Sequence, residues 1–214
     1  MISHYVRSKI MGLFGTAFGA VKWGFGTNFS HIGRWLLLTI FSCIPIVNFI
    51  ADGALMKVLK GEEPDISPAG KSFVTGFFFF LIGLIYAIIP AIIILVLGLI
   101  SSIAAAIVGI ILVILLCLIA IPAEINFVRS GKFGKAFAFG EIFGMISKLG
   151  WGKYILAIIV MFIVGFIVSL VIGIIAYVLG LIPVAGWVLA LIFEILMLVP
   201  LVCFELKYWN DVLA

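Results

Sequence analysis

The carboxyl group of Glu194, in the stretch ALIFEILML, is the best candidate in this sequence for chemistry inside a membrane. It lies about eleven residues, or roughly 16 Å of helix, beyond Pro183, and residues 154–193 before it carry no charge. In hydrocarbon a carboxyl group either finds a partner or takes up a proton, so such a group can carry a proton or a cation. Tyr86, Tyr177, Ser169 and Asn48 are the side chains that could reach it across a bundle. Asp52 and Asn48, in PIVNFIAD, make a second polar pair that could cap helix ends or line a cavity.

A third group, Glu62, Glu63 and Asp65 in LKGEEPDISP, reads differently. Gly61 and Pro64 stop one helix, and Asp65 or Ser67 with Pro68 starts the next as cap and first residue. A Ca²⁺ or Mg²⁺ site would need several more oxygens at one centre, so the stretch reads as a cytoplasmic turn. His4 and His31 are far apart in sequence, and Cys43, Cys117 and Cys203 each sit within an apolar segment at no zinc spacing. No P-loop, serine elbow or His-Glu metal pair is present. The expectation is a protein that is not an enzyme, with no cofactor, no metal and no catalytic residue.

The elements that position these groups follow from composition. Of 214 residues 66% are hydrophobic and 10% are charged, with a mean hydropathy of +1.45. Soluble domains run nearer 45–50% apolar and about 25% charged, so this chain must use lipid as solvent. Residues 72–123 and 154–193 contain no Asp, Glu, Lys, Arg or His. Each run holds two spans of about 20 residues and a short connection. The pattern predicts an all-α, polytopic bundle with four long spans in two hairpins, near 73–97, 99–122, 153–179 and 182–204, with Pro90 kinking the first.

Residues 34–57 are ambiguous. Pro45 divides them into two pieces, each short of a full span. Topology follows the positive charges. Lys and Arg number thirteen, and a broken or re-entrant element places all of them on the cytoplasmic side, whereas a single span strands Arg7, Lys9, Lys22 and Arg34 outside. The broken reading is preferred, and it also leaves the C-terminus cytoplasmic. The net charge of +4 then belongs to lipid headgroups, with Lys9, Lys22, Arg34, Arg129, Lys132 and Lys135 as contacts, and nucleic acid is not expected.

Residues 1–30 read as an interfacial amphipathic helix with an apolar face of Ile10, Leu13, Phe14, Phe18, Val21 and Phe25. A secretory signal peptide fits them less well, because the apolar part is rich in Gly and Phe and has no Leu run. The cytoplasmic segment 129–150 predicts a second surface helix, with Phe139, Ile142, Phe143, Ile146 and Leu149 toward lipid. Residues 31–214 form one transmembrane domain. Gly165, Ser169 and Gly173, and likewise Gly98 and Ser102, recur every fourth residue, the spacing that lets helices approach closely in lipid. PIVNF (45–49) and PAEINF (122–127) hint at an internal repeat.

GALMKVLKGEEPDIS (53–67), GKAFAFGEIFGMI (134–146) and LIPVAGWVLALIF (181–193) resemble, in order and spacing, a prokaryotic and largely archaeal membrane-protein family filed as a domain of unknown function (number 4013). The resemblance covers roughly residues 30–210. It implies a small helical membrane fold, related to domains attached to some glycerophosphodiester phosphodiesterases, and it assigns no catalytic residue. It also implies an acidic residue after the Ala-Phe pair, where this chain has Ala138. The expectation for function is a structural, membrane-organising or accessory subunit of a prokaryotic cell-membrane assembly, with the bilayer and either a second copy or another membrane protein as partners. The alternative is a small-solute or lipid transporter or channel built on Glu194 and the break at Pro45.

Overall fold

A computed structural model describes residues 2–214, with side chains from residue 10 onward, so Lys9 lies outside the described side chains. Every regular element among them is helical. α1 (Ile2–Ser30) and α2 (Ile32–Cys43) are joined at His31, and α3 (Asn48–Leu55) runs into a short 3-10 turn, Met56–Lys60. α4 (Ala69–Ile100) and α5 (Ser102–Ser130) form one hairpin, and α7 (Trp151–Gly180) and α8 (Gly186–Val212) form the other, with α6 (Phe139–Leu149) between them. α4, α5, α7 and α8 are long and apolar enough to cross a membrane, and the chain is a multi-pass membrane protein.

The break at Pro45 is local and sharp. α2 stops at Cys43, Ile46 takes φ +72°, and α3 begins at Asn48. α3 then lies against α4 so closely that both helices need glycine at the crossing. A Cβ on Gly53 would fall 1.7 Å from Ser72 O, and one on Gly76 would fall 2.0 Å from Phe49 O. The 61–68 turn follows, with Gly61 left-handed at φ +80°. α4 opens at Ala69 with Pro68 in the cap position and no side-chain cap, so neither Asp65 nor Ser67 caps the helix as expected. Asp65 Oδ1 instead accepts from Ser67 N at 3.2 Å within the turn. Pro90 does not interrupt α4, which runs as one helix through it.

α1 corrects an expectation about its face. The buried stripe is Leu13, Ala17, Ala20, Gly24 and Asn28, while Phe18 is 58% exposed. Small residues, not the phenylalanines, form the seam because α1 packs directly on α8. A Cβ on Gly24 would lie 2.7 Å from Phe204 N. α6 is corrected too. Ile142 and Ile146, expected to face lipid, are fully buried, and Phe139 and Phe143 remain exposed. Its first turn follows Ala138, which supplies no side-chain cap.

Two prolines explain two of the interhelical ties. Proline has no N–H and cannot donate to the carbonyl four residues earlier. Pro122 in α5 thereby frees Leu118 O, and Tyr154 Oη of α7 donates to it at 2.8 Å. Pro200 in α8 frees Leu196 O, and Trp35 Nε1 of α2 donates to it at 2.8 Å. Tyr208 Oη adds a bond to Ala157 O at 2.8 Å, pinning α8 to α7. Arg129 clamps the same end, donating to Leu59 O, Asn210 O and Leu213 O at 3.2, 3.2 and 2.8 Å and to Asn210 Oδ1 at 3.0 Å. The core lies at this end of the bundle, among Val58, Leu59, Ile125, Tyr154, Phe204 and Tyr208. The hairpin tips are open, with Leu99 84% and Val184 97% exposed.

Candidate polar cleft between α5 and α8

Pro122 and Pro200 are followed shortly by Glu124 on α5 and Glu205 on α8. These two carboxylates face a cleft between helices that otherwise make little contact with each other. On one side a cavity of about 420 Å³ is lined by Ser42, Asp52, Phe79, Glu124, Val202 and Glu205, among others. On the other, a cavity of about 510 Å³ is lined by Cys117, Ile121, Met161, Gly165, Ser169, Glu205 and Trp209. Glu205 borders both. Asp52, Glu124 and Glu205 therefore share one compartment, and among the described residues none of them forms an ion pair. They line separate walls, and no group of His, Cys, Asp and Glu among the described residues is set to hold a metal ion.

The basic side chains near the cleft are engaged elsewhere. Arg129 serves backbone carbonyls as above, and Lys207 pairs with Asp211 at 2.6 Å while lying 5.7 Å from the Trp23 ring centroid. Arg34 pairs with Glu63 at 2.7 Å and Lys57 approaches Asp65 at 3.9 Å. Two of the three turn carboxylates thus anchor the turn to α2 and to the 3-10 segment. Lys135 is hydrogen-bonded to Glu141, and with Asn126 it holds that carboxyl below the usual glutamate range. Lys22 and Lys132 are exposed.

Glu194 and the Asp52–Asn48 pair, the polar candidates of the sequence, do not meet. Glu194 is exposed on the outer face of the α7–α8 hairpin, in a shallow groove with Gly173, Tyr177 and Trp187. None of Tyr86, Tyr177, Ser169 or Asn48 bonds to it; Tyr86 Oη donates to Ala136 O at 2.7 Å. Asn48 opens α3, and its Oδ1 is buried without a partner among the described residues. Of the small residues singled out, Gly165 and Gly173 would meet no atom within 4 Å if given a Cβ, and Gly98 would meet only Ala105 Cβ, at 3.9 Å. Ser102 begins α5 exposed, behind Ser101, whose hydroxyl accepts from Ala104 N. They do not pack the bundle; Gly24, Gly53 and Gly76 do.

Glu124 and Glu205 escaped the sequence reading because each closely follows an expected span, 99–122 or 182–204, and passes for its boundary. The signal was available: each follows a helix-internal proline by two and five residues respectively, on helices that continue to Ser130 and Val212.

Against known families, the sequence profile described as Protein of unknown function (DUF4013) matches residues 37–177, from α2 through most of α7. The chain belongs to the DUF4013 family. The matched region includes Asp52 and Glu124 and stops before Glu205 and Trp209. No curated protein and no solved structure matches the chain.

Proposed function

We propose that this DUF4013 protein is a non-enzymatic membrane protein that binds and moves a small or lipidic solute through the cleft between α5 and α8. The observation that carries the reading is the convergence of Asp52, Glu124 and Glu205 on one cavity that adjoins a second at Glu205, with no ion-pair partner for any of them among the described residues. Unpaired carboxylates are unfavourable near hydrocarbon and mark ion, proton or substrate pathways. The site is moved from Glu194 to Glu205, and the broken helix enters through Asp52 of α3 rather than at Pro45 itself. Asp52, Glu124 and Glu205 lie close in sequence to Lys57, Arg129 and Lys207, at the end of the bundle that the positive-charge rule assigns to the cytoplasmic side of a prokaryotic cell membrane.

Native mass spectrometry of the protein extracted gently from its own membrane tests this. The expected result is a reproducible small molecule on the wild type that is lost in Gly165→Leu, which puts a bulky side chain into the larger cavity from a position where a Cβ would meet no atom within 4 Å. A chain that carries no small molecule and comes out with a stoichiometric protein partner overturns it.

That second outcome is the structural or accessory-subunit reading, and Glu194 favours it. A carboxyl exposed on the outer face of a span, beside the open Gly173, is covered most simply by another helix, from a second copy or a different membrane protein.

A further inference from the structure

Glu194 shares its isolation with one tyrosine. Of the four tyrosines with described side chains, Tyr86, Tyr154 and Tyr208 each donate to a backbone carbonyl. Tyr177 is 70% exposed, and its hydroxyl bonds to nothing among the described residues. Hydrocarbon offers neither a donor nor an acceptor, so a hydroxyl and a carboxyl left facing it are both unfavourable. The two border one groove from its two helices, Tyr177 on α7 and Glu194 on α8, among the small residues Gly173, Ala176, Gly180 and Ala190. There is room for another backbone: a Cβ on Gly173 would meet no atom within 4 Å, and one on Gly180 only Ala190 Cβ, at 4.0 Å.

Depth in the membrane identifies what fills the groove. Gly180 and Ala190 face each other across the hairpin. Tyr177 lies three residues before the first and Glu194 four residues after the second, so in these antiparallel helices they stand about 4.5 and 6 Å from that crossing, both away from the tip. Hydroxyl and carboxyl are nearly level. The Trp187 indole on the same groove is about 10 Å nearer the tip along α8, where tryptophan meets headgroups. Two copies inserted in the same orientation are related by a twofold axis along the membrane normal, and that rotation leaves depth unchanged. A donor and an acceptor at one level, one on each helix of a hairpin, are therefore complementary to themselves across such an axis. We propose that α7 and α8 form the interface of a parallel homodimer in which Tyr177 Oη of each copy donates to the Glu194 carboxyl of the other, with Gly173 and Gly180 letting the helices close. This rests on the reading that another helix covers Glu194 and names that helix as the chain's own; it is independent of what the α5–α8 cleft binds.

Full-length protein fused to donor or acceptor fluorescent proteins is reconstituted in liposomes, and energy transfer is followed as the bilayer is diluted with lipid. The wild type is expected to show saturable transfer. Tyr177→Phe and Glu194→Leu should each raise the dissociation constant about tenfold, and the double variant should add little to either. Glu194→Gln, whose amide oxygen still accepts, should dimerise like the wild type, and Gly173→Leu should abolish transfer. All three positions are exposed, so the unfolding midpoints should not move. A dimer that none of these changes weakens, or a double variant whose effects simply add, overturns the Tyr177–Glu194 contact. A wild type that stays monomeric at every dilution overturns the homodimer. Glu194→Cys, in a Cys43→Ala, Cys117→Ala background because both native thiols are exposed, then separates the two readings. Labelled with benzophenone maleimide and irradiated in its own membrane, it either captures a different membrane protein, which leaves a covering helix in place, or captures none, which overturns that reading as well.

Discussion

Tyr154→Phe in α7 removes one hydroxyl, and its effect should depend on a residue in a different helix. Tyr154 Oη is the donor to Leu118 O at 2.8 Å, the carbonyl that Pro122 leaves without its helical N–H. With phenylalanine that carbonyl loses its partner in a part-buried, largely apolar setting. An orphaned buried carbonyl costs about 1–3 kcal/mol, while side-chain hydrogen bonds measured in membrane bundles average nearer 0.6 kcal/mol. We expect about 1–2 kcal/mol for Tyr154→Phe. In a Pro122→Ala background the restored amide serves Leu118 O, and the same change should cost about 0.5 kcal/mol or less, a coupling of about 1 kcal/mol. Reversible unfolding in mixed micelles of a mild detergent and SDS, followed by far-ultraviolet circular dichroism, gives the four values. Trp35→Phe with Pro200→Ala forms a parallel cycle through Leu196 O. If Tyr154→Phe costs the same with and without Pro122, the proline does not create the demand that the tyrosine meets, and the account of both ties fails.

Gly76→Ala should destabilise by about 3 kcal/mol, because its Cβ would meet backbone that cannot yield, whereas Gly173→Ala should stay within about 0.5 kcal/mol; the same titration compares them. Glu194→Gln should leave the unfolding midpoint unchanged, since no described side chain bonds to the carboxyl; a large loss would show that its charge is paired. Glu141 is held below the ordinary glutamate range by Lys135 and then Asn126, so its contribution to docking α6 is complete above pH about 4.3. It is lost as the pH falls through the lower folded-state value, which amide hydrogen exchange of residues 139–149 against pH would show in the wild type and not in Glu141→Gln.

The four long helices were legible in the sequence because uncharged runs of this length have few other uses, and the break near Pro45 because neither side of it is long enough to span. What was hidden depends on which helices touch. The phenylalanines of α1 looked like its working face, but the close approach of α8 selects Ala17, Ala20 and Gly24 instead. The evenly spaced Gly165 and Gly173 looked like a packing seam and face open space, while Gly53 and Gly76, with no repeat to advertise them, sit where two backbones nearly collide. Glu194 was conspicuous by isolation. Glu124 and Glu205 were inconspicuous at the edges of their expected spans, and only the fold shows that α5 and α8 stand apart there and leave them without an ion-pair partner among the described residues. Asp52 could be picked out as a polar residue in an apolar stretch, but its companions could not.

The seam between α1 and α8 also bears on how the molecule is made. Gly24 and Phe204 touch, yet the second is synthesised about 180 residues after the first, some ten to forty seconds later at about 5–20 residues per second. Through that interval the small-residue stripe of α1 has no α8 to cover it, so α1 must wait at the membrane, held by lipid or an insertion factor, until α8 arrives. Completion of the bundle then waits on the α1–α8 contact, which joins its earliest and latest described helices. Damage to α8 would be felt first at α1, as an uncovered helix open to quality-control proteases.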